Sequence, residues 1–227
     1  EEIFMPAMGM NRPGMQSTEK LSPDQLAEAQ QTWAALADTT REGVKRLQAL
    51  GVHKQWANRP LEWFGWIDTL VTSTDWANFF ALRMHEAAQP ELRALAEEMW
   101  AEYELNDPVP LQPGEWHMPY ILSGEVGVHD LPTLLKLSTA RCARLSYKPF
   151  DGNADLEAEL RRYALLVEER PVHASPAEHQ ASPDTWYDGD FEGYGAKWAR
   201  PSEHGNFEGW IQHRKMLPYE QVRDIRG

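Results

Sequence analysis

Between Leu61 and Arg83 the apolar side chains are dense enough to leave the chain few places to put them. Leu61, Trp63, Phe64, Trp66, Ile67, Leu70 and Val71 cover a helical wheel nearly all round. A helix without a polar face belongs at the centre of a fold. The expectation is a buried helix that begins near Asn58, has Pro60 in its first turn, and either runs on or breaks near Ser73 to Asp75. Asp75 is placed to cap a following helix through Trp76 to Arg83, with Ala88 and Gln89 shortly after. Phe79, Leu82 and Glu86 share one face of it, with Asn78 and Arg83 on neighbouring ones. Burying an amide and a guanidinium unpaired costs on the order of several kcal/mol. They therefore need partners, and an anionic, hydrogen-bonding ligand is one such partner.

Composition narrows the classes. The 227 residues suffice for one large domain or two small ones, and a 42% hydrophobic content can build a core. No run approaches the roughly 18 apolar residues of a membrane helix. The net charge of −13 argues against nucleic-acid binding through a general basic surface. An anionic small ligand would need a local arginine cluster instead. Cys142 is the only cysteine, so no internal disulfide forms, which fits a reducing, cytoplasmic setting. Ten tryptophans supply core mass and flat faces for ring stacking.

Along the chain, residues 1–21 read as an extended lead-in rich in Met, Pro and Gly. Ser22, Pro23 and Gln25 form a capping box with proline at the first helical position. Leu26, Ala29, Trp33, Leu36, Val44 and Leu47 then keep a helical period as far as Gly51, about seven turns. Pro90 opens another helix through Leu92, Leu95, Met99 and Trp100. Pro108 to Gly114 is a linker. Leu134 to Tyr147 is a short helical or mixed element, and Asp155 to Glu169 is helical. From Pro171 onward Gly, Pro, Asp and aromatics leave only short regular structure. The expected fold class is α+β, with a helix-rich first half and a smaller twisted antiparallel sheet among irregular loops. Residues 1–106 form the helical part and 107–227 the α+β part of one integrated domain.

Several groups carry chemistry. Arg59 and Arg83 offer planar donor forks that suit phosphate oxygens and pyrimidine carbonyls. Alternatively they are structural arginines bonded to Glu62 or Glu86. Arg141, Cys142, Ala143, Arg144, Leu145, Ser146 and Tyr147 form a second group, with Ser146 able to donate to a phosphate. The plainer reading is a helix C-terminus with its usual basic residues. His173, Ser175, Pro176, Glu178 and His179 surround a proline turn. Their spacing matches no zinc pattern, so no metal is expected. The turn suits hydrogen bonding to a polar cofactor, and Ser175 with Glu178 also reads as a helix start. Asp188, Asp190 and Glu192 read as a solvated acidic loop. Glycine-rich dinucleotide, Walker and nucleophile-elbow motifs are absent. Cys142 reads as a buried, inert thiol.

At these residues the chain resembles the flavin-dependent thymidylate synthases. Val71 through Gln89 is similar to the family's N-F-x-x-L-R helix followed by A-Q. Ala143 to Tyr147 is similar to A-R-V-S-[FY], and His173 to His179 to H-x-[ST]-P-F-E-H. The order of the pieces resembles the permuted type found among phage and actinobacterial sequences. Thr72 and Thr74 stand where the family often has Asn and Arg, and Ala87 where a flavin-side histidine is usual. Ala177 replaces the Phe of the third motif. The family signature R-H-R-x-x-S-x-N-E-x-S-x-R-Y is absent, though Gln212, His213, Arg214 and Glu220 echo it in register. In permuted relatives a form of it precedes the segment that begins this chain, so the expectation is that residue 1 is not the native start.

The resemblance implies a transferase and flavoprotein of the thymidylate synthase type. It would carry out reductive C5-methylation of a uridylate, dUMP or UMP, with FAD, NADPH and methylenetetrahydrofolate. Alternatives are C5-hydroxymethylation, or a non-catalytic nucleotide- or flavin-binding homologue. By the same resemblance Arg83 is the catalytic and uracil-holding arginine, and Arg59 a second nucleotide-binding one. Asn78, Leu82, Ser146, His173, Ser175 and Glu178 face the flavin. The partners implied are the nucleotide, the folate and further copies of the chain in a homotetramer.

Overall fold

A computed structural model describes residues 3–13, 19–145, 155–189 and 197–221. The chain divides into two compact units. One comprises Glu1–Ile67 with Trp76–Asp107, and the other Asp68–Asp75 with Pro108–Gly227. The coarse class is α+β: the regular structure of the first unit is helical, and the short strands all lie beyond residue 180.

The first unit is built on α1 (Pro23–Ala49). Ser22 Oγ accepts from Gln25 N–H at 3.3 Å, and the Gln25 side chain accepts from Ser22 N–H at 3.1 Å, which completes the capping box. At the other end Val52 N–H donates to Leu47 and Gly51 N–H to Gln48. Gly51 has φ +79°, the left-handed conformation that this helix ending requires. The helix α2 (Lys54–Ala57) follows, and then a 3-10 turn at Arg59–Phe64. Trp33 Nε1 donates to the Phe4 carbonyl at 2.8 Å, and Phe4 N–H donates to Phe64 at 3.0 Å. The lead-in is thereby held between α1 and the 3-10 turn. Helices α3 (Ala77–Arg83) and α4 (Pro90–Leu105) pack through Phe80, Trp100 and Tyr103, with ring centroids 5.0 to 5.7 Å apart. Such pairs add roughly 0.5–1.5 kcal/mol each beyond simple burial.

The expected buried helix over Leu61–Val71 does not form. The 3-10 turn ends at Gly65, whose backbone is extended, and no helix follows until α3. Trp63, Trp66 and Ile67 are 76%, 74% and 80% exposed in the single chain. Gly65 and the β-branched series Ile67, Thr69, Val71, Thr72 and Thr74 disfavour helix propagation. The helix start also shifts: Trp76 occupies the cap position of α3, while the Ser73 hydroxyl closes a local turn with the Asp75 backbone.

In the second unit α5 (Leu131–Cys142) is capped by Asp130 and α6 (Leu156–Tyr163) by Asp155, each carboxylate accepting an N–H three residues on. A π-helical turn, Ala164–Glu168, extends α6. Ala140, Tyr163, Val167, Ala174, Ala177 and Leu217 form its core. Strand β1 (Ala181–Pro183) pairs antiparallel with β4 (Trp210–Gln212), and β2 (Trp186–Tyr187) with β3 (Lys197–Trp198). The register sets Ala181 opposite Gln212 and Trp186 opposite Trp198. His117 bridges to Ala181. Asp184 ties the two pairs, accepting from Thr185 N–H, Arg200 N–H and His204 Nε2–H, each at 2.8 Å. Gly209 donates to His204 Nδ1 and has φ +78°. A Cβ there would lie 3.0 Å from the Trp198 ring, so only glycine lets that indole close over the turn.

Glu159 is fully buried and accepts from Arg144 at 2.6 Å and from Arg162 at 2.6 Å. Removing one member of such a group strands the remaining charges. Glu159→Ala is expected to lower the unfolding free energy by about 3–5 kcal/mol, read from the shift of the urea midpoint.

Candidate functional site

The turn that carries the third motif is positioned from both sides. Before it, His173 N–H donates to the Leu166 carbonyl of the π-helical turn at 2.7 Å. Ala174 is buried, and Ser175–Glu178 forms a 3-10 turn. Ser175 is not its cap: Ala174 holds that position, and Ala177 N–H donates to the Ala174 carbonyl. The turn is too short to need a side-chain cap, which leaves the Ser175 hydroxyl and the His173 ring exposed.

After it, two further pieces of sequence converge. Arg214, in the short helix α7 (His213–Met216), donates Nη1–H to Glu178 Oε2 at 2.7 Å and Nε–H to Glu220 Oε2 at 3.2 Å. Lys215 Nζ donates to the other Glu220 oxygen at 2.5 Å. Gln212 Nε2 donates to the Glu178 carbonyl at 3.0 Å. Thr72 Oγ1 lies 3.1 Å from His179 Nδ1, so the Asp68–Asp75 segment meets the same turn. Motif residues far apart in the chain are thus joined in one unit. Sequence reading noted Gln212, Arg214 and Glu220 only as echoes of a signature and Thr72 only as a departure. Their pairing with Glu178 and His179 has no local signal.

Burial shapes the titration of this region. It holds the His179 imidazole below its ordinary pKa, partly offset by Glu178. His213 is buried edge-on to Trp116, its Nδ1 has no partner among the described residues, and its pKa is pushed down to about 4.

The residues expected on the first motif stand on α3 in the other unit. Asn78, Leu82 and Arg83 are all exposed in the single chain, which corrects the expectation of a buried polar pair. The helix ends at Arg83, so Glu86 does not continue its face, and a turn through His85 to Ala88 follows. Arg83 has no carboxylate partner among the described residues, and neither Glu62 nor Glu86 pairs with it or with Arg59. Beside α3 lies an open groove of about 550 Å³ lined by Ala77, Phe80, Ala81, Met84, His85 and Trp100. Arg59 is exposed at the head of the 3-10 turn, its guanidinium 5.1 Å from the Trp56 ring centre.

Around the second motif the arginines are committed. Arg141 makes a bidentate pair with Glu125, both contacts at 2.7 Å, and holds that carboxyl down to about 2. Arg144 binds Glu159. The two guanidiniums, with Tyr120, Leu122 and Leu145, border a cleft of about 440 Å³. Ser146, like Tyr147, Asp190 and Glu192, lies outside the described residues. Cys142 is buried at the end of α5, and burial pushes its thiol up to about 11, as an inert thiol requires. Among the described residues no group of three or more His, Cys, Asp or Glu side chains is placed to hold a metal ion. No described helix is long and apolar enough to cross a membrane.

Two outcomes follow from the buried groups. Cys142 is expected to react with an aromatic disulfide reagent at neutral pH only after denaturation, as a thiol titration would record. The folded pKa of His213 lies below its unfolded value near 6.5, so the unfolded chain binds the extra proton. That contribution to stability is complete above pH ~6.5 and is lost as pH falls toward ~4, on the order of 3 kcal/mol in all. Urea unfolding across that range, with His213→Asn flattening the slope, measures it. No protein-family model matches the chain, and neither curated proteins nor solved structures give a significant match.

Proposed function

We propose that the chain is a flavin-dependent thymidylate synthase-like enzyme that methylates a uridylate at C5, with the corresponding fold. The observation that carries this reading is the meeting of three motif-bearing pieces at one turn. Thr72 of the first piece contacts His179 of the third, and Arg214 of the signature echo contacts Glu178 of the third. Convergence of those particular residues is what a shared binding site would require, and nothing in local sequence would produce it.

The donor set fits a flavin dinucleotide. His173, Ser175 and Asn78 are exposed and their side chains have no hydrogen-bond partner among the described residues, whereas Arg93, Arg141, Arg144 and Arg214 are each bound to carboxylates. A fold that leaves these polar groups idle keeps them available to a polar cofactor. FAD, once reduced by NADPH, would supply hydride, and methylenetetrahydrofolate the carbon.

The protein's own part is binding and charge. The Arg83 guanidinium grips the uracil carbonyls and disperses the negative charge that develops as C5 becomes nucleophilic. Arg59 holds the nucleotide as a second cation, kept in place by stacking on Trp56. His173, Ser175 and Glu178, which share one turn, orient the flavin. No protein thiol takes part, in keeping with the raised pKa of Cys142. Assembly into a homotetramer would cover Trp63, Trp66 and Ile67, which the single chain exposes.

The purified protein is expected to bind FAD and show flavin absorbance. Arg83→Ala should weaken uridylate binding by roughly 100-fold or more, the loss of a charge-assisted bidentate contact, while FAD affinity changes little. Calorimetric titration with dUMP or UMP reads the first effect, and titration with FAD the second. Unchanged nucleotide affinity in that variant would remove Arg83 from the site.

A further inference from the structure

We infer that Arg214 is a positioning residue that fixes the Glu178 carboxylate for hydrogen bonding to a bound ligand. The inference rests on the reading of Glu178 as a flavin-facing residue. Its geometric basis is the use of each donor. Arg214 spends Nη1–H on one oxygen of Glu178 and Nε–H on Glu220, whose second oxygen is taken by Lys215. Glu178, Arg214, Glu220 and Lys215 thus form an alternating chain of charges that sums to zero. Glu220 is the anchor, with a side chain only 11% exposed.

The other oxygen of Glu178, Oε1, has no protein partner among the described residues. Its backbone carbonyl is meanwhile held by Gln212 from β4. The residue is therefore fixed at two points, and one acceptor oxygen is left over in a half-exposed position. An ionised carboxylate with one oxygen committed and one free accepts from a ligand hydroxyl or ring N–H without first losing rotamer freedom. The chemical class that fits Oε1 is a neutral donor, a polyol hydroxyl or a heterocyclic N–H. A phosphate is excluded by charge.

The test is a double-mutant cycle on FAD affinity in the full chain, followed by flavin fluorescence, with Glu178→Gln, Arg214→Gln and both together. Arg214→Lys serves as the conservative variant, and thermal unfolding of each protein checks the fold. The expected result is a roughly tenfold loss for either single change, the size of one charge-assisted hydrogen bond. The double variant should be no weaker than Glu178→Gln alone, and Arg214→Lys should recover part of the loss. Additive losses would overturn the positioning role and leave the flavin reading standing. Normal FAD affinity in Glu178→Gln would overturn it by removing Glu178 from the ligand. A wild-type chain that binds no FAD would overturn both.

Discussion

A carboxylate cut off from water cannot stay charged alone, and Glu159 organises the second unit around that constraint. Its two arginines come from different places: Arg162 from its own helix α6, one turn on, and Arg144 from just beyond α5. The pairing therefore fixes the end of α5 against α6 and commits the arginine of the second motif to structure. Ala140 of α5 and Tyr163 of α6 share one core with Ala174 and Ala177 of the third-motif turn. His173 and Ser175 of that turn lie at the surface beside this core.

The elements that sequence made legible are those set by adjacent residues. The capping box at Ser22, the glycine at 51, the proline at 90 and the Asp155 start each act within one turn of chain. The segment after Asn58 was misread because an all-round apolar wheel says that the side chains avoid water, not what covers them. Gly65 and the β-branched residues beyond it overrode the wheel. At the site, the motif residues could be picked out by type and spacing. Their partners could not: Arg214 lies 36 residues from Glu178, and Thr72 lies 107 from His179. Only the fold brings them together.

Charge is distributed unevenly over a chain of net charge −13. Most guanidiniums near the motifs are neutralised by carboxylates, so their fields cancel at short range. Arg59 and Arg83 are not, and against an acidic background an unmatched cation gives a local, directional attraction rather than a general one.

Ala177 has no exposed surface, and its methyl group packs with Ala140 of α5 in the same core. The resembling motif has a phenyl ring at this position. The alanine is small enough for the turn that carries His173, Ser175 and Glu178 to share this core with α5. A ring there would act as a spacer and lift the whole polar face outward. A larger side chain at position 177 therefore needs space opened beside Ala140. A phenylalanine there would keep every polar residue of the turn and still shift their alignment.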